Sequence, residues 1–95
     1  MSVLVVGMSH QSAPVALLEK LSMDSAVQDS ACGKLVAADS LSEAMIISTC
    51  NRMEFYTVAN AFHPGLDHVV ETIARFAELP VEDLESHLYV HYSDS

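Results

Sequence analysis

The segment "AMIISTCNRMEFYTVANA", Ala44 to Ala61, contains two strand-like runs with only a few polar residues between them. The first run is wholly apolar from Ala44 to Ile47, which is typical of a strand covered on both faces and predicts a central strand. The second run alternates between two faces from Met53 to Val58, which suits a strand with one partly wet face. The connection is too short for a parallel crossover, so the segment predicts an antiparallel hairpin or one sharply bent strand.

The residues before this segment predict one strand and two helices. The β-branched, apolar run from Val3 to Met8 predicts a buried strand that delivers His10 to a loop. Pro14 suits the first turn of a short helix. The stretch from about Ser25 to Ala38 repeats apolar residues at spacings of three and four, which indicates a second helix. The polar residues "ADSLSE" then predict a break before the hairpin.

The residues after this segment predict a long helix, a short helix and a last strand. Pro64 and Gly65 interrupt the chain, and apolar residues from Leu66 to Leu79 follow the helical period until Pro80. The segment "VEDLESH" predicts one acidic helical turn, and "LYVHY" predicts a strand. This order of elements predicts an α+β fold, a ferredoxin-like or split βαβ sandwich with a mostly antiparallel sheet of about four strands and helices on one face. The tight middle connection disfavours the alternative, a parallel three-layer arrangement.

Composition and charge limit the classes of function. The chain has 95 residues, which predicts a single domain spanning 1–95. Its apolar runs are far shorter than a membrane span, and "MSVLVVGMSH" has neither a basic leader nor a cleavage site, so we expect a cytoplasmic protein with no membrane partner. Thirteen acidic and four basic residues give a net charge of −9, which argues against a phosphate-binding surface contributed by these residues alone.

A thiol and a guanidinium lie two residues apart at the hairpin connection. Taken alone, Cys50 suits an inert core cysteine, and Arg52 suits a surface ion pair with Glu54 or Glu43. However, a nearby positive charge favours a reactive thiolate, and a guanidinium binds a carboxylate through two parallel hydrogen bonds. These residues therefore suit acyl transfer to cysteine, with Arg52 as a carboxylate receptor. A disulfide with Cys32 is the less favoured alternative to two free thiols in a cytosolic protein.

The segments "GMSHQSAPVALLEKLS" and "STCNRMEFY", with the final "LYVHY", resemble the signature segments of glutamyl-tRNA reductase over essentially the whole chain. The resemblance implies that Cys50 takes the glutamyl group from tRNA as a thioester. Reduction with NADPH then gives glutamate-1-semialdehyde for tetrapyrrole (haem) synthesis. It also implies that Thr49, Asn51 and Arg52 contact the substrate. One departure is Leu18, which stands where the family commonly has an arginine.

The resemblance also concerns cofactors and partners. The family's NADPH-binding and dimerisation domains lie outside these 95 residues, and the three glycines form no GxGxxG motif. We therefore expect NADPH to serve the complete enzyme and this chain to bind no cofactor and no metal. The resemblance implies glutamyl-tRNA as the substrate, glutamate-1-semialdehyde aminomutase as a partner, and homodimerisation through an absent domain.

Two further side chains are candidates for supporting roles. We expect Glu54 to accept a hydrogen bond from the substrate's ammonium group. We expect His10 to support the pocket from its loop, with a structural histidine as the alternative. The alternative function from another class is a non-catalytic ferredoxin-like binding or regulatory module. The two functions differ in the thiol of Cys50, which reacts fast near neutral pH in an enzyme and slowly in such a module.

Overall fold

The structure is a four-stranded sheet with helices packed on one side. It is a computed structural model that describes residues 2–21, 25–37, 41–49 and 51–94. In chain order the elements are β1 (Ser2–Ser9), α1 (Val15–Lys20), α2 (Ser25–Val36), β2 (Leu41–Ser48), β3 (Arg52–Ala59), α3 (Phe62–Ala77), α4 (Val81–Glu85) and β4 (Tyr89–Asp94). The strands lie in the order β2-β3-β1-β4, and neighbouring strands are antiparallel. The predicted ferredoxin-like α+β class is confirmed.

The core lies between the sheet and the helices α2 and α3. Alternate residues of β1 and β3 point to this side because side chains alternate between the two faces of a strand. The helices contribute residues spaced at three and four positions, which lie along one side of a helix. The fully buried side chains of this layer include Leu4, Val6, Leu35, Phe55, Val69 and Ile73. This layer fixes the register of the inner strands, because a slip of one residue would turn the apolar side chains to the other face.

The strand β2 lies at an edge of the sheet, so the prediction of a central strand there is wrong. Its apolar residues divide between the two faces: Ile46 is buried under the helices, whereas Met45 is 55% exposed. The predicted polar break is also wrong for its last residues, because Leu41 to Glu43 begin β2, with a register irregularity between those two positions. A short apolar run predicts a strand, but it does not show whether that strand lies in the middle of the sheet or at its edge.

The helix α3 begins earlier than predicted, at Phe62. Pro64 and Gly65 lie in its first turn instead of preceding it. A proline is tolerated there because the first N–H groups of a helix have no partner within the helix. The helix ends at Ala77, just before Pro80, close to the predicted end. Among the described residues, no helix is long and apolar enough to cross a membrane.

Candidate active site

The turn between β2 and β3 is built around Thr49. Its backbone N–H donates to the carbonyl of Arg52 at 2.8 Å. Its hydroxyl oxygen accepts from the backbone N–H groups of Asn51 and Arg52, each at 3.2 Å. The Thr49 hydroxyl therefore holds the turn together, and the side chains of Asn51 and Arg52 are exposed beside it. Cys50, the predicted nucleophile, lies outside the described residues.

The loop between β1 and α1 packs directly against this turn. The backbone N–H of His10 donates to the carbonyl of Asn51 at 2.8 Å. The loop is closed on itself because the Ser9 N–H donates to the Ser12 hydroxyl at 2.8 Å. A ring nitrogen of His87 lies 3.2 Å from the carbonyl of Ser12 and so ties the loop to the residues before β4. The two segments that carried the resemblance are thereby joined.

An open pocket of about 840 Å³ lies where the loop and the turn meet the uncovered face of the sheet. The predicted site residues within the described ranges all line it: Thr49, Asn51, Arg52, Glu54 and His10. The sequence did not point to its other lining residues, which are Ser9, Gln11, Ser12, Tyr89 and His91. His91 is an exposed residue of β4. The pocket is large enough for an amino-acyl group and open enough to admit a larger carrier.

Glu54 forms the polar floor of this pocket and is 8% exposed. Its Oε2 accepts a hydrogen bond from the Tyr89 hydroxyl at 2.7 Å, and its Oε1 accepts one from the Tyr56 hydroxyl at 3.0 Å. Arg52 Nε lies 3.9 Å from Oε1, and the Arg52 side chain is 57% exposed. The surface ion pair proposed for Arg52 is therefore present with Glu54, as a long contact, and the guanidinium remains accessible from the pocket.

Gly7 makes room for this arrangement. In the register of the sheet, Gly7 on β1 lies opposite both Glu54 on β3 and Tyr89 on β4. A Cβ at Gly7 would lie 2.8 Å from Glu54 Cγ and 3.1 Å from Tyr89 Cζ. Both are closer than van der Waals contact, so a larger residue would push the two side chains apart. A glycine inside a strand often marks such a close approach. Gly7 was therefore a signal in the sequence that a side chain from a neighbouring strand lies close to β1, as Tyr89 does.

The protonation states of the floor follow from these contacts. The hydrogen bond from Tyr89 is the largest of the causes that hold the pKa of the Glu54 carboxyl below its ordinary value, against the effect of burial. Burial, followed by the hydrogen bond to Glu54, raises the pKa of Tyr89 to about 12. At neutral pH the pair therefore consists of an ionised acceptor and a neutral donor.

No metal centre is found in the described ranges, where no three His, Cys, Asp or Glu side chains come together to hold an ion. Cys32 is a free, half-buried thiol on α2. Burial raises its pKa, and the carboxylate of Asp29 acts in the same direction. Cys32 packs against the apolar core on the helix side of the sheet, and it does not line the pocket.

Comparison with known proteins places the chain in a family. The profile described as "Glutamyl-tRNAGlu reductase, N-terminal domain" matches residues 6–95. A protein of Corynebacterium aurimucosum named glutamyl-tRNA reductase is 64% identical over 95 residues, which cover 100% of this chain and 21% of that protein. The protein of that name from Corynebacterium diphtheriae is 56% identical over 95 residues, or 100% of this chain and 22% of the relative. The chain thus spans about a fifth of the length of these relatives.

A solved structure supports the fold independently. The structure titled "Glutamyl-tRNA Reductase from Methanopyrus kandleri" superposes with a TM-score of 0.60 at 22% sequence identity. The match covers 98% of this chain and 19% of that one. At this identity the likeness concerns the fold alone. From the family profile and the corynebacterial relatives together, the chain belongs to the glutamyl-tRNA reductase family, in which it corresponds to the N-terminal domain.

Proposed function

We propose that this domain binds the glutamyl group of glutamyl-tRNA and receives it on Cys50 as a thioester. The observation that carries the proposal is the pocket itself, which gathers Asn51 and Arg52 from one signature segment and His10 from the other. Cys50 lies between two of its lining residues in the sequence. A pocket with an accessible guanidinium at its rim suits a substrate that carries a free carboxylate.

The covalent step in this proposal is an acyl transfer. The thiolate of Cys50 attacks the ester carbonyl carbon, the C–S bond forms, and the C–O bond to the terminal ribose breaks as the ribose oxygen takes up a proton. Arg52 binds the side-chain carboxylate of the glutamyl group and fixes the position of the reacting carbon. Thr49 acts through the turn, because its hydroxyl already accepts from the N–H groups of Asn51 and Arg52.

When bound to the complete enzyme, NADPH supplies the hydride that reduces the thioester to glutamate-1-semialdehyde for tetrapyrrole synthesis. We assign the binding of NADPH to residues outside this chain, which has no glycine-rich phosphate loop. We also assign most contacts to tRNA to residues outside this chain, because its net charge is −9. We also assign homodimerisation and contact with glutamate-1-semialdehyde aminomutase to residues outside this chain. We assign the complete reductase to the cytoplasm, where charged tRNA is found.

Intact-mass measurement after incubation with glutamyl-tRNA tests the acyl transfer. We expect the mass to increase by one glutamyl group, and we expect hydroxylamine to remove it, as it does thioesters. The adduct must be absent from Cys50→Ser and present in Cys32→Ser, which is the matched control. An adduct that survives Cys50→Ser would show that the chemistry is on another residue. No adduct in the wild-type protein would favour the non-catalytic binding module.

A second measurement concerns the cofactor. Titration calorimetry of the 95-residue chain with NADPH is expected to give no binding, because the chain has no glycine-rich phosphate loop. Binding in the micromolar range would contradict the assignment of the cofactor to residues outside this chain.

A further inference from the structure

A row of three residues crosses the uncovered face of the sheet at the floor of the pocket. Glu54 on β3, Gly7 on β1 and Tyr89 on β4 lie opposite one another in the two strand registers. Since Gly7 has no side chain, the Tyr89 phenol extends over β1 and donates to Glu54 at 2.7 Å. Tyr89, on the edge strand β4, is thus hydrogen-bonded to Glu54 on β3, two strands away. The strand β3 begins with Arg52, the proposed substrate-binding arginine.

The contact between Glu54 and Arg52 involves the inner nitrogen of the guanidinium. Arg52 Nε is the atom that lies 3.9 Å from Glu54 Oε1. In the described part of the chain, the Arg52 side chain makes no other ion pair. The two outer nitrogens can together bind a carboxylate through two parallel bonds, and they remain available for a ligand. A fixed anion beside Nε therefore restricts the direction of the guanidinium and leaves the edge formed by its two outer nitrogens open.

From this geometry we propose that Tyr89 is a positioning residue, which holds Glu54 in place and through it orients the guanidinium of Arg52 toward the pocket. The inference rests on the proposed function, in which Arg52 receives the substrate carboxylate. It assigns Glu54 a role different from binding the substrate's ammonium group. Both oxygens of Glu54 already accept a tyrosine hydroxyl, and the side chain is almost fully buried. Each oxygen could accept a second bond, but the burial of the side chain leaves little of that capacity accessible to a ligand.

Tyr89 makes the shorter of the two tyrosine hydrogen bonds to Glu54, and it makes that bond from a different strand. Tyr56 donates to the same carboxylate from the same strand, two residues along, at the longer distance of 3.0 Å. Tyr92 is on β4 as well, but its hydroxyl donates to Ser2 Oγ and it does not line the pocket. Tyr92→Phe is therefore a matched control, because it removes one hydroxyl from the same strand and leaves the floor of the pocket intact.

The test uses a full-length reductase that carries this domain, with glutamyl-tRNA as the substrate. In Tyr89→Phe we expect kcat/KM to fall about tenfold, because a hydrogen bond to a charged group is lost. In Tyr92→Phe we expect no change. Equal falls in kcat/KM in the two variants would overturn the inference. Unchanged kcat/KM in both variants would also overturn it.

A pH profile distinguishes positioning from a general loss of stability. The titratable or charged side chains that face Glu54 are Arg52, Tyr56, Tyr89 and His91, whereas β1 and β2 present Gly7 and Ile47. Without Tyr89, the largest cause of the low pKa of Glu54 is gone. The acid limb of the kcat/KM profile should move to higher pH in Tyr89→Phe and stay in place in Tyr92→Phe. An unmoved limb in Tyr89→Phe would contradict the proposal.

A double-mutant cycle tests whether Tyr89 acts through Glu54. In a Glu54→Gln background, Tyr89→Phe should change kcat/KM less than about twofold, since the charged acceptor is already gone. Independent, multiplying effects would overturn the inference. If Tyr89→Phe fails to fold, Glu54→Gln alone must lower kcat/KM, and unchanged kinetics in that variant would count equally against it.

The outcome also separates this inference from the proposed function. A thioester that depends on Cys50, together with normal kinetics for Tyr89→Phe, would overturn the role of Tyr89 and leave the acyl transfer standing. A wild-type protein with no thioester on Cys50 would overturn the proposed function itself.

Discussion

The hydroxyl of Tyr89 donates a 2.7 Å hydrogen bond to Glu54, although the strands that carry these two residues are not neighbours. The bond passes over Gly7 of the strand between them, at a position where a Cβ would also lie 2.7 Å from the carbonyl oxygen of Met53. A backbone atom cannot move aside as a flexible side chain can. The pocket floor therefore requires a glycine at position 7 as well as the hydrogen bond between Tyr89 and Glu54.

The first prediction concerns Gly7→Ala. Its added methyl group must displace β3 backbone, Glu54 or Tyr89, so we expect the free energy of unfolding to fall by about 1 to 3 kcal/mol. Gly33→Ala is the opposite control, because a Cβ at Gly33 meets nothing within 4 Å in the helix α2. That variant should gain about 0.5 to 1 kcal/mol. Urea unfolding of the two variants measures both, and equal stabilities would contradict the close approach.

The second prediction concerns alkaline pH. Because the folded protein raises the pKa of Tyr89 from 10.0 to about 12, the folded state holds the phenol proton more tightly than the unfolded state. The corresponding stabilisation is complete below pH 10 and is lost as the pH rises toward 12. Tyr89→Phe should therefore weaken the decline in unfolding free energy over this range. Denaturant unfolding at a series of pH values measures it, and an unchanged decline in that variant would show that Tyr89 is not held as described.

The third prediction concerns Arg52→Lys in a full-length reductase. An ammonium group keeps the charge but cannot form two parallel bonds to a carboxylate, so transition-state stabilisation should fall by about 2 kcal/mol. Arg75→Lys is the matched control, because the chain's second arginine lies exposed on α3 and outside this pocket. Steady-state kinetics with glutamyl-tRNA measure both variants. Unchanged kcat/KM in Arg52→Lys would make Arg52 a surface ion-pair residue.

The fourth prediction concerns the two thiols. Cys50 should be alkylated before Cys32 in the folded chain, because burial raises the pKa of Cys32 and reduces its thiolate fraction. Peptide mapping after brief treatment with iodoacetamide measures the order. In the unfolded chain the two should react at similar rates. Faster labelling of Cys32 in the folded chain would refute the assignment of Cys50 as the nucleophile.

Local pattern was sufficient for most of the fold. The short connection at Thr49 to Arg52 predicted an antiparallel hairpin or one sharply bent strand, and the structure has the hairpin. The apolar stripe from Leu66 to Leu79 predicted the helix α3. What the pattern could not supply was the lateral order of the strands. The apolar residues of β2 suggested a central strand, whereas the structure places β2 at an edge with Met45 exposed. Lateral order depends on which strands pair across long distances, and no local window contains that information.

The residues of the candidate site likewise fall into those that local sequence could predict and those that it could not. Thr49, Asn51 and Arg52 were predicted together because they are consecutive or nearly so in a distinctive motif, and the structure places all three at one pocket. Tyr89 and His91 were missed because they approach the pocket only through the pairing of β4 with β1. Their contribution depends on register, which becomes visible once the sheet is assembled.

The pairing of β1 also has a consequence for the order of folding. Ser2 pairs with Ala59 on one side and with Asp94 on the other, so the first strand to be synthesised has no partner until most of the domain exists. Such distant pairings carry a large loop-closure cost and make folding slow. During synthesis on the ribosome, the backbone of β1 must wait for β3 and then for β4. The hairpin of β2 and β3 is therefore expected to form first and to serve as the template on which β1 docks.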